Sequence, residues 1–166
     1  MGLGQSLLTI ISMMMLTMIS IRMNSNILRT QDSTQNSKFG LAAISLAESR
    51  IEKAMRLAFD EKTINAPQTL TSSLTAAGSL GKDAGETNFN TFDDFDDFNN
   101  FTETDSTLQS AVFKVSSVVV YINPDNGLSV TSASTTWNKK ITVSVSSISM
   151  SDTIRLSSIY SYWFFR

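Results

Sequence analysis

The residues best suited to chemistry lie in one short run, TFDDFDDFNNF, at 91–101. Its carboxylates, Asp93, Asp94, Asp96 and Asp97, are hard oxygen donors of the kind Ca²⁺ takes, and closely set pairs of carboxylates also serve glycoside hydrolysis. The spacing does not match an EF-hand loop, carboxylates adjacent in sequence point apart, and nothing nearby forms a sugar-binding set. A solvated acidic turn is therefore the reading, with a cation at these four residues as the weaker alternative. Between them Phe92, Phe95, Phe98 and Phe101 repeat every three residues, a spacing that lines side chains up in a 3₁₀ turn. The aromatics are expected to bury on one side while the carboxylates face water. Each buried Phe contributes roughly 1.5–3 kcal/mol, enough to pin the loop to a core.

The rest of the composition narrows the chemistry. The 166 residues include no His and no Cys, which removes the usual neutral-pH general base, the commonest transition-metal ligand, and all thiolate and disulfide chemistry. Hydroxyls are plentiful, but without a base to activate them they are surface and strand residues. A net charge of −2 gives no basis for nucleic-acid binding. The expectation is a protein that is not an enzyme and takes no cofactor.

The elements that must position the acidic run begin with residues 3–23, LGQSLLTIISMMMLTMISIRM, which carry no charge before Arg22. About 20 such residues in a helix span roughly 30 Å, the thickness of a bilayer's hydrocarbon core. Gln5, Ser6, Thr9, Ser12, Thr17, Ser20 and Asn24 fall within an arc of about 140° at 100° per residue. Leu3, Leu7, Leu8, Ile11, Met14, Met15, Met18 and Ile19 supply the apolar surface. The hydroxyl stripe suits close helix packing in an apolar medium, or else the hydroxyls bond back to their own carbonyls; the sequence leaves both open. No Lys or Arg precedes the run and 20–23 is a poor cleavage site, so removal as a secretory signal is not expected. Arg22, Arg29 and Lys38 follow it, which by the positive-inside rule favours a cytoplasmic side.

Residues 24–37, NSNILRTQDSTQNS, have low intrinsic helicity, and an irregular or melted neck is expected there. An amphipathic helix should occupy 38–62, with Leu41, Ile44, Ile51, Met55 and Ala58 facing a core, Ala47 and Ala54 filling the same side, and Glu52 paired with Arg56. A long loop over 63–110 contains Pro67, Gly78, Gly81 and Gly85. From 111 the period becomes two, predicting strands over 112–122, 128–131, 140–149 and 153–165. NPDNG at 123–127 is a turn signal, and the slip in alternation at Ser157 and Ser158 reads as a bulge. The organisation is an N-terminal rod and neck, 1–37, and a head, 38–166. The fold class is α+β: a hydrophobic helix continuing into an amphipathic one, packed on an antiparallel sheet of three to four strands in a meander over 111–166.

This layout, together with the FDDFDDFNNF segment after the helix and a late Trp137, resembles the type IV pilins and the pseudopilins of type II secretion. Gln5 stands where that family carries Glu if Met1 is the first mature residue, and the family's mid-helix Pro is absent. The resemblance implies a structural subunit of an extracellular helical filament at the cell surface. Its partners would be copies of itself, joined through the N-terminal helices, with residence in the inner membrane before assembly. A minor pilin, pseudopilin or membrane-anchored binding module of the envelope is the alternative.

Overall fold

The computed structural model describes residues 2–108, 111–128 and 130–162. The sequence-based readings at Met1, Gln109, Ser110, Ser129 and 163–166, including the last part of the strand expected to reach 165, lie outside the described residues. The chain divides into two units, 1–38 and 39–166.

The first unit is helical. Helix α1 (Leu3–Met55) begins here and runs for 53 residues, straight through the expected neck. No Gly or Pro occurs between Gly4 and Gly40 to break it. The side chains expected to unwind 24–37 instead bond back along the helix: Ser25, Thr30, Thr34 and Ser37 each donate to the carbonyl four residues earlier, at 2.8–3.0 Å. In the apolar stretch Ser12 and Thr17 also donate to the carbonyl four residues earlier, and Ser6 and Thr9 to the one three residues earlier, at 2.6–3.0 Å. Four hydroxyls of the stripe, those of Ser6, Thr9, Ser12 and Thr17, therefore find their acceptors within their own helix.

In the second unit the helix ends at Met55, short of the expected Lys62. The chain leaves it because Phe59 and Asp60 are drawn into the interior. Ala58 makes a parallel bridge to Asp94, and Asp60 caps the short helix α2 (Glu61–Ile64) through a capping box with Thr63. The Glu52–Arg56 pair forms as expected, at 2.6 Å on the surface. The inward face of the helix is made of Ala43, Ala47 and Ala54, all fully buried, with Ile51 and Met55 packed at the margin. Leu41 and Ile44, expected in the core, are 69% and 36% exposed. Alanine lets the helix backbone lie close to the sheet, and larger side chains on that line would hold it away.

The sheet is a four-stranded antiparallel meander in the order β1 (Phe101–Asp105), β2 (Phe113–Tyr121), β3 (Asn138–Ser147) and β4 (Ile154–Ser161). The α+β arrangement of a long N-terminal apolar helix packing on an antiparallel sheet is thus the observed one. Strand β1 lies inside the expected loop. Its inward positions include Glu103 and Asp105, which meet Arg50 of the helix, so FTETD lacks the apolar alternation that marks a strand. Leu128, Val130 and Thr131, the described residues of the strand expected over 128–131, form no strand; a single bridge joins Ile122 to Thr131. No bulge occurs at Ser157 and Ser158, because pairing runs unbroken from Asn138↔Ser161 to Val145↔Ile154. Ser158 simply occupies an inward position opposite Ile141, and the outward Ser157 hydroxyl bonds that of Thr142 at 2.9 Å.

The turn at 123–127 forms as a 3₁₀ turn (Pro124–Asn126) in which the Asn123 side chain accepts from the Asp125 N–H. Gly127, at φ +100°, takes the backbone conformation that L side chains avoid. The core joins the alanines to Phe113, Val115, Val119 and Tyr121 of β2 and to Ile141, Val143 and Val145 of β3.

Candidate functional site

The acidic run folds as expected for its aromatics and not for its carboxylates. Phe92, Phe95, Phe98 and Phe101 are all buried. Phe92 meets Phe98 and Phe101 edge-on, each at 5.0 Å between ring centroids, and Phe95 meets Tyr160 at 5.2 Å. Of the acids only Asp93 faces water; Asp94, Asp96 and Asp97 are buried. The three-residue period holds as a 3₁₀ turn only over Asp96–Phe98. The segment closes in on itself because carboxylates accept from its own backbone: Asp94 from the N–H groups of Asp96 and Asp97, and Asp97 from those of Asp93 and Asp94, at 2.8–3.1 Å.

Asp96 points to a group the sequence reading did not single out. Lys139 of β3 is fully buried, and its ammonium donates to Asp96 Oδ1 at 2.6 Å, to Asp60 Oδ2 at 2.8 Å and to the Phe59 carbonyl at 2.8 Å. Rings enclose it, with the Nζ atom 4.7 Å from the Phe59 centroid and 5.2 Å from that of Tyr121. Asp60 is the hub of this network. It also accepts from the Lys62 N–H, the Thr75 N–H and hydroxyl, and the Tyr121 hydroxyl. Thr75 thereby ties the loop after α2 to the sheet. Lys139 shares inward parity with Ile141, Val143 and Val145, and a charge on the buried face of a strand is the signal that could have revealed it.

The charges are unequal in their surroundings. Burial alone would raise Asp60, but the Lys139 ammonium and the hydrogen bonds outweigh it and hold the carboxyl below its ordinary value. Burial raises Asp96 despite Lys139. Burial, then Asp96 and Asp97, push Asp94 up to about 9. Burial pushes Asp97 up to about 7, helped by Glu86. Tyr121 is raised too, by burial and by Asp60.

The four acids proposed from sequence as Ca²⁺ ligands therefore separate. Asp94 and Asp96 turn toward the Lys139 network and the inner wall of a cleft of about 430 Å³, which Glu61, Thr75, Gly81 and Asp83 also line. Asp93 and Asp97 instead join Glu86, and the carboxylate oxygens of these three lie within 4.8 Å of one another. Oxygen donors so placed suit a hard cation, and protonation of Asp97, whose value burial raises, relieves the same crowding.

The second candidate feature is the surface of α1 in the first unit. Leu3, Gln5, Leu7, Leu8, Ile11, Met14, Met15, Met18 and Ile19 are all exposed, Leu3 to 90%. The exposed apolar residues continue through Ile27 and Leu28. This helix is long and apolar enough to cross a membrane, with none of its most apolar window buried within the chain. The chain matches no protein family, no curated protein and no solved structure. The site must be read from its own chemistry.

Proposed function

We propose that this chain is the structural subunit of a pilin-like extracellular filament, assembling through its N-terminal hydrophobic helix. The observation that carries the reading is the uncovered apolar surface of α1 from Leu3 to Leu28, on a helix in which the hydroxyls of Ser6, Thr9, Ser12 and Thr17 bond to its own carbonyls. Each fully buried Leu, Ile or Met is worth roughly 1.5–3 kcal/mol, so such a helix is driven out of water into lipid or against other protein. Lipid hosts the subunit in the inner membrane before assembly, and neighbouring copies replace lipid afterwards. One face of the helix meets a different face on the next copy, so the contact is heterologous and builds an open helical fibre on the cell surface. The head, with its core of four strands and an alanine-faced helix, forms the outer shell.

Negative-stain microscopy of material sheared from cells expressing the chain tests this. Fibres made of this chain support it; only detergent-solubilised monomers count against it. The membrane-spanning length of α1 favours a second reading, a minor pilin or single-pass anchored binding module. That reading predicts a chain that sits in membranes and never dominates a fibre preparation.

A further inference from the structure

The Lys139 network holds more than an ion pair needs. One ammonium stands between two carboxyl groups at the inner end of the cleft, with Lys139 and Asp60 fully buried and Asp96 2% exposed. An ion pair sealed in a low-dielectric interior is costly to desolvate, and a second carboxylate beside it has no counter-charge of its own. Asp60 is fixed as the anion, with Lys62, Thr75 and Tyr121 all donating to it. Asp96 has Lys139 as its side-chain partner and leans on the Asp94 carboxyl, whose backbone bonds hold the turn. With Lys139 Nζ 2.6 Å from Asp96 Oδ1, the carboxyl carbon is one bond further on, so a small rotation of the carboxyl brings it to the roughly 3–3.5 Å separation of reacting atoms in a near-attack arrangement.

From this geometry we propose that Lys139 and Asp96 condense into an intramolecular amide bond, with Asp60 as the proton acceptor. The ammonium gives a proton to Asp60 Oδ2, 2.8 Å away. The freed amine attacks Cγ of Asp96, which enters the reaction as the neutral acid, and the Nζ–Cγ bond forms. A second amine proton moves to the departing hydroxyl, the Cγ–O bond breaks, and one water leaves. One proton remains on the nitrogen and one on Asp60, so atoms and charge balance without oxidant, nucleotide or metal. Burial raises Asp96 toward its protonated form, in keeping with its part as electrophile. The aromatic walls of Phe59 and Tyr121 keep out the water that would favour hydrolysis. The product ties β3 to the turn Asp96–Phe98 and replaces a buried ion pair by a neutral amide. This bond does not depend on the filament reading, since it lies wholly within the second unit.

The test is the intact mass of the purified full chain under denaturing conditions, after circular dichroism has shown it folded. The expected result is a chain lighter by one water than its sequence requires, with fragmentation locating a branched peptide that joins Lys139 to Asp96. Asp96→Asn keeps the geometry and should lose ammonia instead of water. Asp96→Ala should retain its full mass. Asp60→Asn should form the bond at least tenfold more slowly, the order of effect ordinarily lost with a positioned general base. A folded chain of unaltered mass overturns the proposal, as does a mass loss that maps to any other pair of residues.

Discussion

The two raised carboxyls give the head an unusual response to pH. Asp94 sits up at about 9 and Asp97 at about 7, each chiefly because burial opposes its charge. In the unfolded chain both return to about 3.9. A folded value above the unfolded one means the native state holds the extra protons. The stability tied to those protons is therefore fully present at low pH and is lost as pH rises through the folded values. Going from pH 6 to pH 8 removes on the order of 1 kcal/mol through a group at 7 and on the order of 3 kcal/mol through one at 9. The two lie on one loop and ionising either opposes ionising the other, so the total loss is about 2–4 kcal/mol. For a head of this size that lowers the melting temperature by roughly 5–15 °C.

The window is a clean one, because the chain has no His and no Cys to titrate in it. The assay is thermal unfolding of the detergent-solubilised chain by near-ultraviolet circular dichroism at pH 6, 7 and 8. Asp97→Asn should flatten the lower part of the dependence, since an amide still accepts from the N–H groups of Asp93 and Asp94 and can donate toward Glu86. A melting temperature that stays level or climbs from pH 6 to pH 8 would refute the reasoning.

Other outcomes follow from the packing. Phe95→Ala, at the meeting of the acidic run and Tyr160, should cost about 3–5 kcal/mol in urea unfolding, the usual range for removing a fully buried ring. Ala47→Leu should cost about 1–3 kcal/mol by overfilling the closest approach of helix and sheet, whereas Leu41→Ala should change head stability by less than about 0.5 kcal/mol. Arg50→Ala leaves Glu103 and Asp105 facing inward without their cation, and should loosen β1 selectively, seen as faster amide exchange over Phe101–Asp105 than over β3. Met15→Lys, on the exposed part of α1, should abolish fibres in sheared material while leaving the melting curve of the head unchanged.

Much of this architecture could be read directly from the residues. The uncharged stretch at 3–21, the period-two runs of β2 and β3, and NPDNG each carry a strong local signal that the structure follows. What escaped was set by partners distant in sequence. Ala47 and Ala54, expected on the core side, are buried, yet Leu41 and Ile44, expected beside them, stay exposed because the sheet turns the contact toward the line of Ala43, Ala47 and Ala54, where only small side chains admit the helix. Strand β1 is hidden because Glu103 and Asp105 are made tolerable inside by Arg50, some fifty residues earlier. The same holds at the site: Asp94, Asp96 and Asp97 read as solvated until Lys139 and the loop's own N–H groups are brought to them. The neck stayed helical because its hydroxyls found carbonyls four residues back, a choice that composition alone leaves undecided.

The central claim is that copies of this chain cover one another's apolar helix. Helical reconstruction of fibres by electron cryomicroscopy examines it most directly. The expected reconstruction has a core of bundled helices, traceable through the side chains of 3–28, with the strand-rich heads outside. Fibres whose axis is built from the heads, or a folded chain that remains single in detergent and in vesicles alike, would contradict it.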